Sequence, residues 1–208
     1  MKSTTLALGL ALGATTLAGA AYGQQPAAPP AAAPATAPAL VPSSAVANPT
    51  YAVIPMEITV NRPAAQVWAR IGKYCDIAEW LRIPTCTITA GKDNEVGAVR
   101  TVGSEILVGK TELSYTYTQP VRAGRPYNLY HGTLEARPLT ATTSKIVYTL
   151  MYDNSLLADD AARATDLANR RRTFEGALAN MKILAEGGTL PPAPARAGAP
   201  APAAPPAR

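Results

Sequence analysis

The spacing of hydrophobic positions changes character from segment to segment along this chain, and each change marks an element. An uncharged apolar run from Leu6 to Leu17 follows Lys2, and then a long stretch offers alanine and proline with no period. Alternation appears at Met56–Val60, which predicts a short strand stopped by Asn61-Arg62-Pro63. Ala64, Val67, Trp68 and Ile71 then recur at helical spacing, with Pro63 suited to the first turn, so a helix is predicted to about Lys73. A second short helix, Asp76–Leu81, carries Ile77, Trp80 and Leu81 and stops before Pro84. Strand-like runs follow at Cys86–Ala90, Val96–Val102, Glu105–Val108, Thr111–Gln119, Tyr127–Arg137 and Lys145–Asp153, separated by short turns rich in Gly, Asn, Ser or Pro. From Asp159 to about Glu186 the period is helical again, through Leu167, Phe174, Leu178, Met181 and Ala185, and Gly187-Gly188 ends it.

Short connections favour antiparallel neighbours. The order of strand, two helices, six strands and one long helix predicts an α+β domain, a curved antiparallel sheet gripping a C-terminal helix. Alternate strand residues point to opposite faces, so parity sorts the inner from the outer wall. In Thr111–Gln119 the odd set, with Leu113, Tyr115 and Tyr117, is the apolar one; in Tyr127–Arg137 it is the even set, with Tyr130, Gly132, Leu134 and Ala136. Lys145–Asp153 is apolar on both parities. Tyr115, Tyr117, Tyr127, Tyr130, Tyr148 and Tyr152 all fall in this region, which holds no phenylalanine. A buried phenol must find a partner or cost about 1–3 kcal/mol, so a filled core has no need of so many. Large amphipathic rings beside Gly132 and Ala136 suit a partly wet, ligand-sized hollow.

Composition divides the chain. Residues 1–23 read as a secretory signal peptide whose apolar run is too short to span a membrane. Residues 24–50 and 189–208 are Ala/Pro-rich and read as extended, polyproline-like spacers, which leaves one domain at 51–188. The formal charge of +5 is spread thinly, because that domain holds 16 basic against 14 acidic residues. A nucleic-acid binder would concentrate basic charge on its folded unit, so nucleic acid is not an expected partner. Cys75 and Cys86 in an exported chain predict a disulfide. The single histidine, His131, falls on the outward parity, and no metal-ligand cluster, phosphate loop or nucleophile elbow appears. No cofactor or metal is expected. Arg100 and Glu105 fall on one face of a hairpin as a candidate ion pair, inside or at the rim; of Arg170, Arg171 and Arg172, it is Arg171 that lies on the Leu167–Phe174 stripe.

The segments EITVNRPAAQVWARI, EWL, VGAVRTV and YHGTLEARP, with the long terminal helix, resemble the START-like (SRPBCC, polyketide cyclase/dehydratase-like) superfamily of helix-grip proteins over residues 55–187. The resemblance implies a seven-stranded sheet around the last helix, with an apolar cavity between them and the even positions of the last strand, Tyr148, Leu150 and Tyr152, turned inward. Parity, the helix stripe and the inward even set of the last strand together give a candidate site of Arg100, Leu113, Tyr115, Tyr117, Tyr130, Gly132, Leu134, Tyr148, Leu150, Tyr152, Arg171, Phe174 and Leu178. The functional expectation is a periplasmic or secreted monomer that binds or carries a small hydrophobic or amphipathic molecule, with no membrane insertion after signal cleavage. A cyclase or dehydratase-like enzyme using the same cavity is the alternative, and an envelope interaction module the third reading.

Overall fold

A computed structural model describes residue 46 and residues 48–192; the signal peptide, most of the first spacer and the tail from residue 193 lie outside the described residues. Ten elements follow in order: β1 (Tyr51–Val60), α1 (Ala64–Ile71), α2 (Ile77–Trp80), β2 (Ile88–Ala90), β3 (Val99–Arg100), β4 (Glu105–Lys110), β5 (Ser114–Thr118), β6 (Asn128–Pro138), β7 (Ser144–Asp153) and α3 (Asp160–Ala185). The strands form one seven-stranded antiparallel sheet in the order β1-β7-β6-β5-β4-β3-β2. The strands β2 to β7 are a meander, and β1 returns to pair with β7 along its whole length, from Tyr51 opposite Asp153 to Val60 opposite Ser144.

Both β1 and β3 depart from the periodicity reading. β1 begins at Tyr51, not Met56, because it is an edge strand and tolerates the missing donor of Pro55. Its alternation is then unbroken, with Ala52, Ile54 and Met56 buried against α3 and Tyr51, Val53 and Pro55 exposed. β3 contracts to Val99–Arg100, since the Gly97 and Leu107 amides make irregular bonds to Leu107 and Ala98 outside the ladder.

α3 starts where Asp159 caps it, its Oδ1 accepting from the Ala162 amide at 2.8 Å. The helix lays Phe174, Leu178 and Met181 onto the concave face of the sheet, with Leu184 at its far end. α1 closes the same core with Val67 and Ile71, and α2 with Ile77 and Trp80. The Cys75–Cys86 disulfide is formed and ties the α1–α2 connection to the approach to β2. Among the described residues, no helix is long and apolar enough to cross a membrane.

Candidate functional site

The parity assignments hold on all three central strands. Tyr115 and Tyr117 of β5, Tyr130 and Leu134 of β6, and Tyr148, Leu150 and Tyr152 of β7 all point inward and are buried. Leu113, just before β5, is half-buried at the edge of this set. Register explains their contacts, because Gly132 sits between Tyr117 and Leu150 on neighbouring strands, and Leu134 between Tyr115 and Tyr148. The rings form a continuous chain: Tyr115 to Tyr117 at 6.5 Å, Tyr117 to Tyr130 at 6.3 Å, Tyr130 to Tyr152 at 6.0 Å between centroids. From α3, Phe174 packs on Tyr148 at 4.8 Å, and Trp80 meets Tyr148 in an edge-on arrangement at 6.1 Å.

At Gly132 the inner wall is filled, where the sequence reading expected a small residue to leave a hollow. A side chain at Gly132 would lie 2.4 Å from the Tyr117 ring, so the space that glycine leaves is taken by tyrosine, not left for a ligand. The Tyr117 and Tyr148 hydroxyls then bond to each other at 2.8 Å, which answers how buried phenols are satisfied there. Two grooves of about 350 and 280 Å³ lie outside the tyrosine chain, one between α2 and α3 and one between β1 and α3. The pocket that reaches Tyr127 and Tyr130, beneath the Gln119–Arg125 loop, measures only about 10 Å³.

Arg100 occupies the deep end. Its side chain is wholly inaccessible, and the guanidinium lies over the rings of Tyr74 (4.2 Å), Tyr117 (4.8 Å) and Tyr115 (5.9 Å). Nε donates to Glu105 Oε2 at 2.7 Å and Nη1 to the Tyr74 carbonyl, while Nη2 lies 2.5 Å from the same carboxylate oxygen but off the hydrogen-bonding direction. The other Glu105 oxygen accepts from Gln119 at 2.8 Å, and Gln119 in turn accepts from the Tyr127 hydroxyl at 2.8 Å. Burial opposes the Arg100 charge, but Tyr115, Glu105, Tyr117 and Tyr148 outweigh it and raise the pKa. Burial lifts the Glu105 carboxyl, which Arg100 and Gln119 only partly offset, and it lifts the phenols of Tyr74, Tyr115, Tyr117, Tyr130 and Tyr148. The phenols are thus neutral donors, not bases. Tyr74 Oη and Tyr115 Oη, whose rings flank the Arg100 guanidinium, are buried hydroxyls without a partner, as is Trp80 Nε1 beside Tyr148. The two phenols can donate to an oxygen placed beside Arg100.

The mouth is held by a different arginine from the one expected. Arg171 points away, toward the Pro55 carbonyl (3.3 Å) and Glu175 (3.7 Å), where it lines the β1 groove. Arg170 instead enters the tyrosines, over Tyr152 at 4.4 Å, Tyr127 at 4.6 Å and Tyr130 at 5.4 Å. Asp166 Oδ2 accepts from Arg170 Nε at 2.9 Å and from the Tyr152 hydroxyl at 2.6 Å. The missed signal was the four-residue step Asp166, Arg170, Phe174, Leu178, one face of α3. Tyr127 was missed because Leu129 adopts φ 49 and shifts the register at the start of β6, which brings Tyr127 to within 5.3 Å of Tyr130 on the inner side. Tyr74 sits in a helix connection with no period to betray it. His131 faces outward, its Nδ1 2.7 Å from the Leu129 carbonyl, away from the tyrosine chain.

Solved structures share this architecture. A Thermobifida fusca protein solved by NMR is 24% identical with a TM-score of 0.52, over 66% of this chain and 97% of its own. A Nitrosospira multiformis protein is 22% identical with a TM-score of 0.50, over 64% of this chain and 94% of its own. The Zhui aromatase/cyclase from Streptomyces sp. R1128 aligns at 16% identity and a TM-score of 0.48, over 67% of this chain and all of its own. No curated protein matches the chain. The model of one family matches residues 52–186, all of the sheet but its first residue together with α3, so the chain belongs to the family described as polyketide cyclase / dehydrase and lipid transport.

Proposed function

We propose that this protein is an exported binding or carrier protein for a small hydrophobic or amphipathic molecule bearing an acceptor oxygen, held between the sheet and α3. The observation that carries the reading is the pair of buried donors around Arg100: Tyr74 Oη and Tyr115 Oη have no acceptor. Each such group costs about 1–3 kcal/mol, and a ligand carbonyl or carboxylate placed among them offsets that cost. The aromatic chain supplies apolar surface for the rest of the molecule. Since Tyr117 fills the space over Gly132, the ligand enters by displacing rings there, with the Gln119–Arg125 loop over the mouth as the part that gives way. Export is supported by the leader-like start and by the Cys75–Cys86 disulfide.

The test is native mass spectrometry of the full chain purified gently from its own host. A co-purifying small molecule with an acceptor oxygen, lost in the paired change Arg100→Met with Glu105→Leu that leaves no lone buried charge, supports the reading. A chain that carries nothing, and whose tyrosine and tryptophan fluorescence is unmoved by a panel of amphipathic carbonyl compounds, defeats it.

A second reading rests on the same donors. Neutral phenols and a guanidinium around one oxygen are also the groups that stabilise an enolate in a cyclisation. Turnover of a model polyketone that disappears in Tyr115→Phe would favour this enzyme over the carrier.

A further inference from the structure

The Cys75–Cys86 disulfide adjoins the Arg100 site at both of its ends. Cys75 directly follows Tyr74, whose ring lies 4.2 Å from the guanidinium and whose carbonyl accepts from Arg100 Nη1. Cys86 lies two residues before Ile88, the β2 residue opposite Arg100 across the strand pair. Next to it, the Thr87 carbonyl accepts from the Thr101 amide at 2.9 Å, and the Thr87 amide donates to Thr101 Oγ1 at 3.1 Å. A closed circuit therefore runs from Tyr74 through the two sulfurs to β2, across to β3, and back through the Arg100 side chain. The sulfur bridge is the covalent crosslink in that circuit, and the other closures are hydrogen bonds.

The segment between the cysteines has little regular structure to fix it. It holds one helical turn, Ile77–Trp80, and then Arg82 at φ 56, in the left-handed region that side chains other than glycine seldom adopt. From Ile83 to Thr87 no helix or strand forms. Ile77 and Trp80 pin the turn to the core, so opening the bridge frees its flanks and leaves the body of the domain in place. Tyr74 is one of those flanks. It is buried, yet its hydroxyl has no partner, so its place over Arg100 depends on ring packing and on where the backbone holds it. A crosslink at the next residue restricts that backbone directly. Cys75 and Cys86 are both half-buried, whereas Tyr74 and Arg100 are sealed, so the bridge is what a reagent in solution reaches. The chain has two cysteines, both in this bridge, and reduction acts at this place alone.

We propose that the disulfide is a redox-sensitive clasp on the Arg100 site: formed, it holds Tyr74 against the guanidinium, and opened by a dithiol reductant, it lets Tyr74 leave. A thiolate of the reductant attacks one sulfur of the bridge to give a mixed disulfide, which the second thiol of the reductant then resolves. Cys75 and Cys86 end as thiols, having gained two electrons and two protons between them, and the reductant ends as a disulfide. With Tyr74 displaced, the guanidinium loses one of its three rings and a carbonyl acceptor, and the site loses one of its two unpartnered phenols. The consequence for a ligand rests on the carrier reading above: the bridged form holds the molecule and the reduced form releases it.

The test compares the full chain oxidised, the same chain reduced by tris(carboxyethyl)phosphine, and the paired variant Cys75→Ser with Cys86→Ser. Hydrogen exchange is read first, without ligand. The amides of Tyr74, Arg100 and Thr101 should exchange about tenfold faster or more in the two open forms, while those of β6 and β7 keep their rates. Unchanged exchange at Arg100 and Thr101 overturns the proposal, because the bridge then fixes only its own loop. Equal acceleration in β6 and β7 overturns it too, in favour of a staple for the whole domain. The same three forms are then titrated with the amphipathic carbonyl panel by tyrosine and tryptophan fluorescence. Loss of one donor should weaken binding about tenfold in the open forms. Equal binding by all three overturns the clasp as a control on the site. If the bridged form binds nothing, the carrier reading falls, and the exchange result still decides the clasp.

Discussion

Arg100 on β3 stands directly opposite Glu105 on β4, and both charged groups are sealed from water. A buried pair of this kind is weak evidence for stability as a pair but severe when halved, because one partner alone is an uncompensated charge. Glu105→Gln should therefore destabilise the domain by about 3–5 kcal/mol, while the double change Arg100→Met with Glu105→Leu should cost markedly less. Urea midpoints of the three chains check this. A single variant that loses less than the double would refute the reading of Arg100 as a buried charge held by one carboxylate.

Gly132 is required by the ring above it. An added methyl would stand 2.4 Å from Tyr117, on a strand that cannot move without disturbing both neighbours. Gly132→Ala should displace Tyr117, break its bond to Tyr148 and cost about 1–3 kcal/mol. Gly109→Ala, where the nearest atom is Thr116 Cβ at 3.7 Å, is the matched strand control and should change little. Thermal melts with near-ultraviolet circular dichroism separate the two.

These two cases mark what the sequence made legible. Period-two spacing fixed which faces of β5, β6 and β7 are buried, since side-chain direction along a strand is set by geometry alone. It could not tell a hollow from a filled interior. Gly132 beside large rings fits a void as well as it fits a ring lying over the glycine, and only the cross-strand register, Tyr117 opposite Gly132, decides between them. The choice between Arg170 and Arg171 failed for a related reason. Adjacent helical residues lie about 100° apart, and both touch the apolar stripe, so the partners Tyr127, Tyr152 and Asp166 had to be seen. Tyr127 itself depends on the bulge at Leu129, which no period announces.

Asp153 gives the domain an acid-sensitive clasp. Burial raises its carboxyl, but bonds from the Thr50 amide (2.7 Å), the Ser155 amide (3.1 Å) and hydroxyl (2.9 Å), and from Asn128, outweigh it, so its pKa falls below the ordinary 3.8. An acid with a depressed folded pKa binds fewer protons when folded. Its contribution is present above the unfolded value near 3.8 and is lost as pH falls through the folded one. Urea midpoints should thus fall below about pH 4, with a shallower fall in Asp153→Asn, which lacks the titrating group. An identical acid profile in the variant would remove Asp153 from this role.

Arg170 and Arg171 are neighbours in sequence with opposite surroundings, so matched substitutions test the face assignment of α3. Arg170 lies over three tyrosine rings and shares Asp166 with Tyr152, while Arg171 is more exposed and pairs with Glu175 across 3.7 Å. Methionine keeps the stem of either side chain and removes the cation. At position 170 this deletes a partly desolvated cation–π contact and leaves the Asp166 carboxylate with only the Tyr152 hydroxyl, a loss of about 1–2 kcal/mol. At position 171 an exposed pair and a long exposed bond to the Pro55 carbonyl are lost, together worth less than about 0.5 kcal/mol. Tyrosine signals in the near-ultraviolet should change with the first variant and not with the second. Equal effects would mean that the guanidinium at the mouth does not hold the rings of Tyr127, Tyr130 and Tyr152 together.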